Sequence, residues 1–359
     1  MFNDEELVCL WFDYNGYTFS KLEKILQNFD TIDSVFDKKL VKSAFFEKDL
    51  EYIRGKLLEL DKDKFTKKID DEFYKYNISA VTYVSKNYPE KLKVISDPPL
   101  VLYTKGDQSL LSKKSISIVG TRSPSEYGKI VCEKFSKELS SAGLVTVSGL
   151  AYGIDTIVAE STLAVNGKTI AVLAGGLDLI YPAQNTNLAK RIEENGLLIS
   201  EHRIGEKPAS FMFISRNRIV SALSLGTLII EAGKKSGTMA TARFAIEQSR
   251  ELFVVPGNIY SKTSEGTNNL IDEMPDTFTI SPERILFRLK IKKRQPLEKS
   301  VQVGIENNSI LISLENGEKS FDELSSLTGL KPSELSSELI KMEMFGLVKI
   351  GDDGLYYKL

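Results

Sequence analysis

From residue 115 to residue 257 the chain repeats one pattern: a short run of apolar residues, a turn of small residues, then a stretch with helical spacing. The apolar runs are "SISIVG", "LVTVSG", "KTIAVLAGG", "LLISE", "LGTLIIEAG" and "ELFVVPG", with helical segments such as "GKIVCEKFSKELSSAG", "DTIVAESTLAVNG", "NRIVSALS" and "TMATARFAIEQSR" between them. A strand this apolar must be covered on both faces, and a helix between consecutive strands returns the chain parallel to itself. The pattern therefore predicts an α/β fold, a doubly wound parallel sheet. Ligands of such sheets sit beyond the carboxyl ends of the strands, so the residue after each strand is where function is sought.

On either side of this core the pattern changes. Residues 1–75 carry charged and apolar residues at helical spacing with little glycine, as in "FSKLEKILQNFDTIDSVFDKKL", and predict an N-terminal helical domain, SAM-like or helix-hairpin-helix-like. The doubly wound domain is assigned to 76–288, its first part a proline-punctuated connector that ends in a strand over "LVLYTKG". Residues 289–304 are basic and polar and read as a linker. In 305–359, helical segments are followed by "LVKIGDDGLYYKL", a hairpin with an Asp-Gly turn, which predicts a winged-helix domain.

Composition removes several classes of function. His202 is the single histidine, and Cys9 and Cys132 are the two cysteines, far apart and among apolar neighbours; no metal site, disulfide framework or histidine-based catalysis is expected. No apolar run reaches the ~20 residues that span a bilayer, and the first residues, "MFNDEELVCLWF", lack a signal peptide's basic start; a cytoplasmic protein with no membrane contact is expected. The formal net charge of −2 gives no global pull toward a polyanion, so any nucleic-acid contact must use a local basic surface.

The strand ends supply such a surface. Gly120-Thr121-Arg122, Ser148-Gly149, Gly175-Gly176, Glu201 and the turn Lys234-Lys235-Ser236-Gly237-Thr238 follow successive strands, and small or hydroxylated residues there let a ligand approach backbone N–H groups at helix N-termini. Neither G-x-G-x-x-G nor G-x-x-x-x-G-K-[ST] is present, and Arg122 occupies the turn where a diphosphate would lie, so no tightly held nucleotide cofactor is expected. In "SFMFISRNRIV", Phe213 precedes Arg216, Asn217 and Arg218 where a loop is expected to become a helix. A ring beside forked cationic donors suits single-stranded nucleic acid, with a face for a base and donors for phosphate oxygens.

These stretches, together with "TVSGLAYGID", "GGLDLIYPAQN", "LISEHRIGEKP", "EAGKKSGTMATARFAIEQSRELFVVPG" and "EGTNNLI", resemble the DNA-processing protein A (DprA/Smf) family over nearly all of 115–271. The resemblance implies that the doubly wound sheet is an extended Rossmann-like fold, and that the chain is a homodimer that binds single-stranded DNA, protects it, and loads the RecA recombinase during natural transformation or related recombination. It further implies a DNA-binding role for Arg122, Phe213, Arg216, Asn217, Arg218 and the Ser236-Gly237-Thr238 turn, to which the strand-end reading adds Ser148, Gly149, Gly176 and Lys235. The chain departs from the family pattern at Tyr152, at Ala159-Glu160, at Ile214 and at Ala174-Gly175-Gly176.

A second reading is an enzyme. "SLGTLIIEA" echoes the Gly-Thr-x-x-Glu signature of nucleoside-monophosphate phosphoribohydrolases, in which Glu231 would act on a ribose or on water; the Pro-Gly-Gly that precedes that signature is replaced by Ala222, Leu223 and Ser224. The first reading assigns no catalytic residue.

Overall fold

The computed structural model describes residues 2–27, 48–291, 309–315, 317–344, 347–351 and 353–358. Most of the linker expected at 289–304 and the first residues of the expected winged helix lie outside the described residues. The chain divides into two compact units, Met1–Arg294 and Gln295–Leu359.

In the first unit, helices α1 (Asp4–Tyr14), α2 (Phe19–Leu26), α3 (Lys48–Leu58) and α4 (Lys62–Tyr76) lead into β1 (Ser79–Thr82), α5 (Glu90–Lys93) and β2 (Val101–Gly106). The alternating part follows as β3 (Ser115–Val119), α6 (Glu126–Ser141), β4 (Val145–Ser148), α7 (Ile154–Ala164), β5 (Thr169–Leu173), α8 (Thr186–Asn195) and β6 (Leu197–Ser200). It continues through α9 (Ser210–Ala222), β7 (Gly226–Ile229), α10 (Gly237–Glu247) and β8 (Glu251–Val254), then α11 (Glu265–Glu273) and α12 (Pro282–Arg288). One sheet has the order β1-β2-β6-β5-β4-β3-β7-β8. The strands from β3 to β8 pair parallel, and β2 on β6 and β1 on β2 add an antiparallel edge. The expected connector strand is thus part of the sheet.

The alternation within β3 buries both of its faces. Ile116 and Ile118 join Cys132, Phe135 and Leu139 of α6 and Val158 of α7 on one face. Val119 joins Ile219 and Val220 of α9 and Ala242 and Ala245 of α10 on the other. The chain leaves β3 toward α6 on the first face and leaves its neighbour β7 toward α10 on the second. This divergence opens a crevice above the β3/β7 pair, the switch point at which doubly wound sheets bind ligands.

Packing does not divide at 75/76. Val8, Phe12, Leu57, Ile69 and Phe73 of the N-terminal helices share one buried cluster with Tyr103 of β2, Leu188 and Ile192 of α8 and Leu198 of β6. An apolar helix stripe needs a covering surface, and here that surface is the sheet's antiparallel edge.

The second unit, described by itself, comprises α13 (Ser309–Leu314), α14 (Phe321–Thr328), α15 (Pro332–Met344) and the antiparallel pair β9 (Val348–Ile350) and β10 (Tyr356–Lys358). Ile310, Leu314, Leu324, Leu335, Leu339 and Val348 form its core. Ser320 caps α14 in a reciprocal capping box with Glu323.

Candidate nucleic-acid interface

The turn after β3 is held from two sides. The Thr121 N–H donates to the Glu231 carbonyl at 2.7 Å, and the Thr121 carbonyl accepts from the Ile154 N–H at 3.2 Å. Gly153 makes the second contact possible: its φ is +73°, and a Cβ there would lie 2.5 Å from the Thr121 carbonyl oxygen and 2.6 Å from the Arg122 carbonyl. With its backbone fixed, Arg122 is exposed and reaches across the crevice, its guanidinium carbon 5.4 Å from the centroid of the Phe213 ring. The Phe213 ring meets Tyr181 edge to face, centroids 5.4 Å apart, and Tyr181 remains 50% exposed.

The helix carrying Phe213 corrects the sequence reading. It starts at Ser210, so Phe213, Arg216, Asn217 and Arg218 all lie inside α9 and not at a loop-to-helix junction. Residues two apart on a 3.6-residue helix point to nearly opposite sides, and the two arginines do. Arg216 turns under the strand ends and is 4% exposed. Its Nη1 donates to the Gly149 carbonyl at 2.6 Å and also to the Val172 carbonyl, while Nε donates to Asn217 Oδ1 at 3.2 Å. Burial pushes its pKa down to about 10, Asp155 opposes that shift, and Arg122 adds to it. Asp155, also buried, accepts from the N–H groups of Gly149 at 3.1 Å and Ala151 at 3.3 Å. Burial raises its pKa, and the Arg216 charge and these N–H groups pull it back.

Arg218 faces away from the crevice. It forms a two-pronged ion pair with Glu201, Nη1 to Oε1 at 2.7 Å and Nη2 to Oε2 at 2.6 Å, and its Nε donates to the Asp97 carbonyl at 3.0 Å. A bidentate pair of this geometry is strong and directional, so Arg218 ties α9 to the end of β6 and to the connector. It is not brought into the candidate site, because two acidic residues that the sequence places far from it occupy its donors.

The third wall is the N-terminus of α10. Ser236 caps it by accepting from the Thr238 N–H at 3.1 Å, and Asn217 Nδ2 reaches the Gly237 carbonyl at 3.5 Å. The crevice between these walls is a cavity of about 550 Å3. It brings together Arg122, Phe213, Arg216, Asn217, Ser236, Gly237 and Thr238 of the expected residues. Gly149 lines a narrow adjoining recess with Arg122, Tyr152 and Phe213. Ser148 is buried at the end of β4, Gly176 is buried against the Arg203 carbonyl, and Lys235 is exposed on the turn before α10; none of these lines the crevice.

Thr121, of the strand-end reading, lines the cavity too, as do Ala151, Asp155, Tyr181 and Thr241, which that reading does not include. Asp155 carried a signal, a carboxylate in the first turn of the helix after a glycine-rich strand end. Tyr181 carried none, since only packing places it beside Phe213.

Glu231, the residue on which the enzyme reading rests, does not line the crevice. It is 2% exposed, and its carboxylate accepts from the Ser125 N–H at 2.9 Å and from the Thr263 hydroxyl. Both oxygens brace loops. Among the described residues no group of His, Cys, Asp and Glu is placed to hold a metal ion, and no helix is long and apolar enough to cross a membrane.

The family model for DNA recombination-mediator protein A matches residues 79–290. The chain is similar to the DNA processing protein DprA of Bacillus subtilis, at 43% identity over 58% of this chain and 72% of that one. It is also similar to the protein Smf of Synechocystis, at 31% identity over the whole of both chains. Among solved structures, DprA of Streptococcus pneumoniae superposes with a TM-score of 0.67 at 32% identity, covering 80% of this chain and 98% of that one. DNA processing protein A of Helicobacter pylori, described for its single-stranded DNA binding mode, superposes with a TM-score of 0.54 at 34% identity, covering 59% of this chain and 95% of that one. The crevice above the β3/β7 pair therefore stands in a chain that belongs to the DNA recombination-mediator protein A family.

Proposed function

We propose that this chain binds single-stranded DNA across the crevice above β3 and β7, with little sequence preference. The observation that carries the reading is the exposed Arg122 guanidinium 5.4 Å from the Phe213 ring, at the mouth of a cavity closed on its far side by the α10 N-terminus. A phosphate meets Arg122 and the backbone N–H groups of that helix end, and a base stacks in place of the guanidinium or on Tyr181. Arg216 gives the floor a buried positive charge without offering it to solvent. The single-stranded DNA binding mode described for the Helicobacter pylori protein supports the same ligand class.

On this reading the protein protects incoming DNA and loads RecA recombinase in transformation or related recombination, working as a cytoplasmic homodimer whose paired crevices hold one strand multivalently. The N-terminal helices serve as an accessory helical layer on the sheet's antiparallel edge. The C-terminal unit is a winged helix whose α15 carries Glu334, Glu338 and Glu343, a charge pattern suited to a protein partner more than to a phosphate-lined groove.

Titration of the protein with fluorescent oligo-dT at a series of salt concentrations tests the reading. With Arg122 and the α10 N-terminus in the crevice, and Lys235 on the exposed turn just outside it, neutralising about two to three phosphates, log K should fall against log[salt] with a slope of about −1.4 to −2. No binding at low salt, or a slope near zero, would sink it. Release of free base from AMP would instead favour the enzyme.

A further inference from the structure

We propose that Arg203 is a positioning residue for the crevice, through which helix α1 holds the ring of Phe213 in place. The inference rests on the single-stranded DNA reading and gives the N-terminal helices a part in it.

Arg203 lies in the 201–209 loop that leads from β6 into α9, and it grips two partners in opposite directions. Its Nη1 donates to the Tyr14 carbonyl at 2.8 Å, at the last residue of α1, and its guanidinium carbon sits 5.5 Å from the centroid of the Tyr14 ring. A cation at a helix C-terminus is favoured by the carbonyls left without helical partners. Asp13, beside Tyr14, adds its negative charge to the field that holds the guanidinium. On the other side, Arg203 Nε donates to Glu206 Oε1 at 2.8 Å.

Glu206 carries the connection onward. Its second carboxylate oxygen lies 3.1 Å from His202 Nδ1, so the side chain is held at both oxygens. Its backbone carbonyl accepts the Gly176 N–H at 2.9 Å, at the carboxyl end of β5. Gly175 has no room for a side chain, because a Cβ there would lie 2.9 Å from that same Glu206 carbonyl oxygen and 3.0 Å from Pro208. Pro208 and Gly175 line the narrow recess together with Phe213 and Arg122. Two residues after Pro208, α9 begins at Ser210, and Phe213 stands in its first turn. The path from α1 thus runs through polar contacts as far as Glu206 and Gly176, and from there to the ring through the close-packed turn at Gly175 and Pro208 that lines the recess with Phe213.

The side chain of Arg203 is 33% exposed, and Arg203 does not line the crevice, so a direct DNA contact is not what the geometry offers. It acts on the ligand by fixing the loop that starts α9. A residue that acts only through another loses its effect once that other is removed.

The test is oligo-dT affinity of the full chain in a cycle of four proteins: wild type, Arg203→Gln, Phe213→Ala and the double variant. Loss of the Arg203 contacts should weaken binding about fivefold in the wild-type background and leave affinity nearly unchanged in the Phe213→Ala background. Arg203→Lys, which keeps a charge near the Tyr14 carbonyl and Glu206, should restore part of the loss. If Arg203→Gln does not fold, Glu206→Ala breaks the relay at its middle and should give the same non-additive pattern. Equal losses in both backgrounds, or wild-type affinity for both Arg203→Gln and Glu206→Ala, overturn the inference while leaving the DNA reading intact. A wild-type chain that does not bind oligo-dT overturns the reading itself, and this inference with it.

Discussion

Arg122 and Phe213 are 91 residues apart in sequence and 5.4 Å apart in space, guanidinium carbon to ring centroid. A cation over a ring face in a partly exposed setting is worth about 0.5–1 kcal/mol, little enough for a stacking base and a phosphate to displace. Arg122→Ala should weaken oligo-dT binding by about 1.5–3 kcal/mol and make the salt slope shallower by about 0.7, alike for every sequence tested. Loss confined to one sequence would contradict phosphate contact.

Arg216 should behave as a structural charge. Its charge is coupled to that of buried Asp155, and its Nη1 bonds the Gly149 and Val172 carbonyls; Arg216→Ala leaves the carboxylate uncompensated and should lower stability by about 3–5 kcal/mol, seen as a fall in the denaturant midpoint. Arg218→Ala should lower stability by a smaller amount, about 1.5–3 kcal/mol, and leave the salt slope of oligo-dT binding unchanged. A shallower slope for Arg218→Ala would mean that it leaves Glu201 for DNA.

Gly149 leaves the space that Arg216 fills. A Cβ at Gly149 would lie 2.3 Å from Nη1 of Arg216, and the guanidinium, fixed by carbonyls of two strand ends, has nowhere to retreat. Gly149→Ala should therefore cost about 1–3 kcal/mol as an overpacked site. Thermal melting in a Gly149→Ala and Arg216→Ala cycle should show strong non-additivity, since the alanine methyl clashes only while the arginine is present.

Asp13 gives a pH dependence whose sign follows from burial. Its carboxyl accepts from the Tyr103 hydroxyl at 2.6 Å, and burial raises its pKa to about 6 from an ordinary 3.8. The folded state then holds a proton that the unfolded chain has released, so this group adds stability as pH falls from about 7 toward about 4, by up to about 3 kcal/mol. Asp13→Asn should flatten that part of the stability profile relative to wild type in urea titrations at pH 7.5, 6 and 5. Parallel profiles for the two proteins would rule out Asp13 as the source.

Much of the fold was legible because periodicity reports burial. The runs around Ile116–Ile118 and Leu228–Ile230 could only be strands covered on both sides, and the small residues after them marked the ligand end of the sheet. Two features were not legible. The start of α9 at Ser210 is hidden because "SFMFIS" has no capping pattern that separates it from a loop, and the sequence alone puts Phe213 and the arginines at a junction. The N-terminal helices read as a separate domain because a helix stripe shows that it is covered without showing by what; their cover is Tyr103, Leu188 and Leu198.

The sequence by itself determined the strand-helix alternation, the crevice end of the sheet and the residue types gathered there, since each depends on local pattern and on the handedness of parallel connections. Which arginine faces a ligand was decided only by tertiary structure. Arg122, Arg216 and Arg218 are chemically identical, and their roles separate because one reaches solvent, one meets the carbonyls of Gly149 and Val172 beside Asp155, and one meets Glu201. A guanidinium is free or engaged according to the acceptors that the folded chain brings within about 3 Å of it, and those acceptors come from distant parts of the sequence.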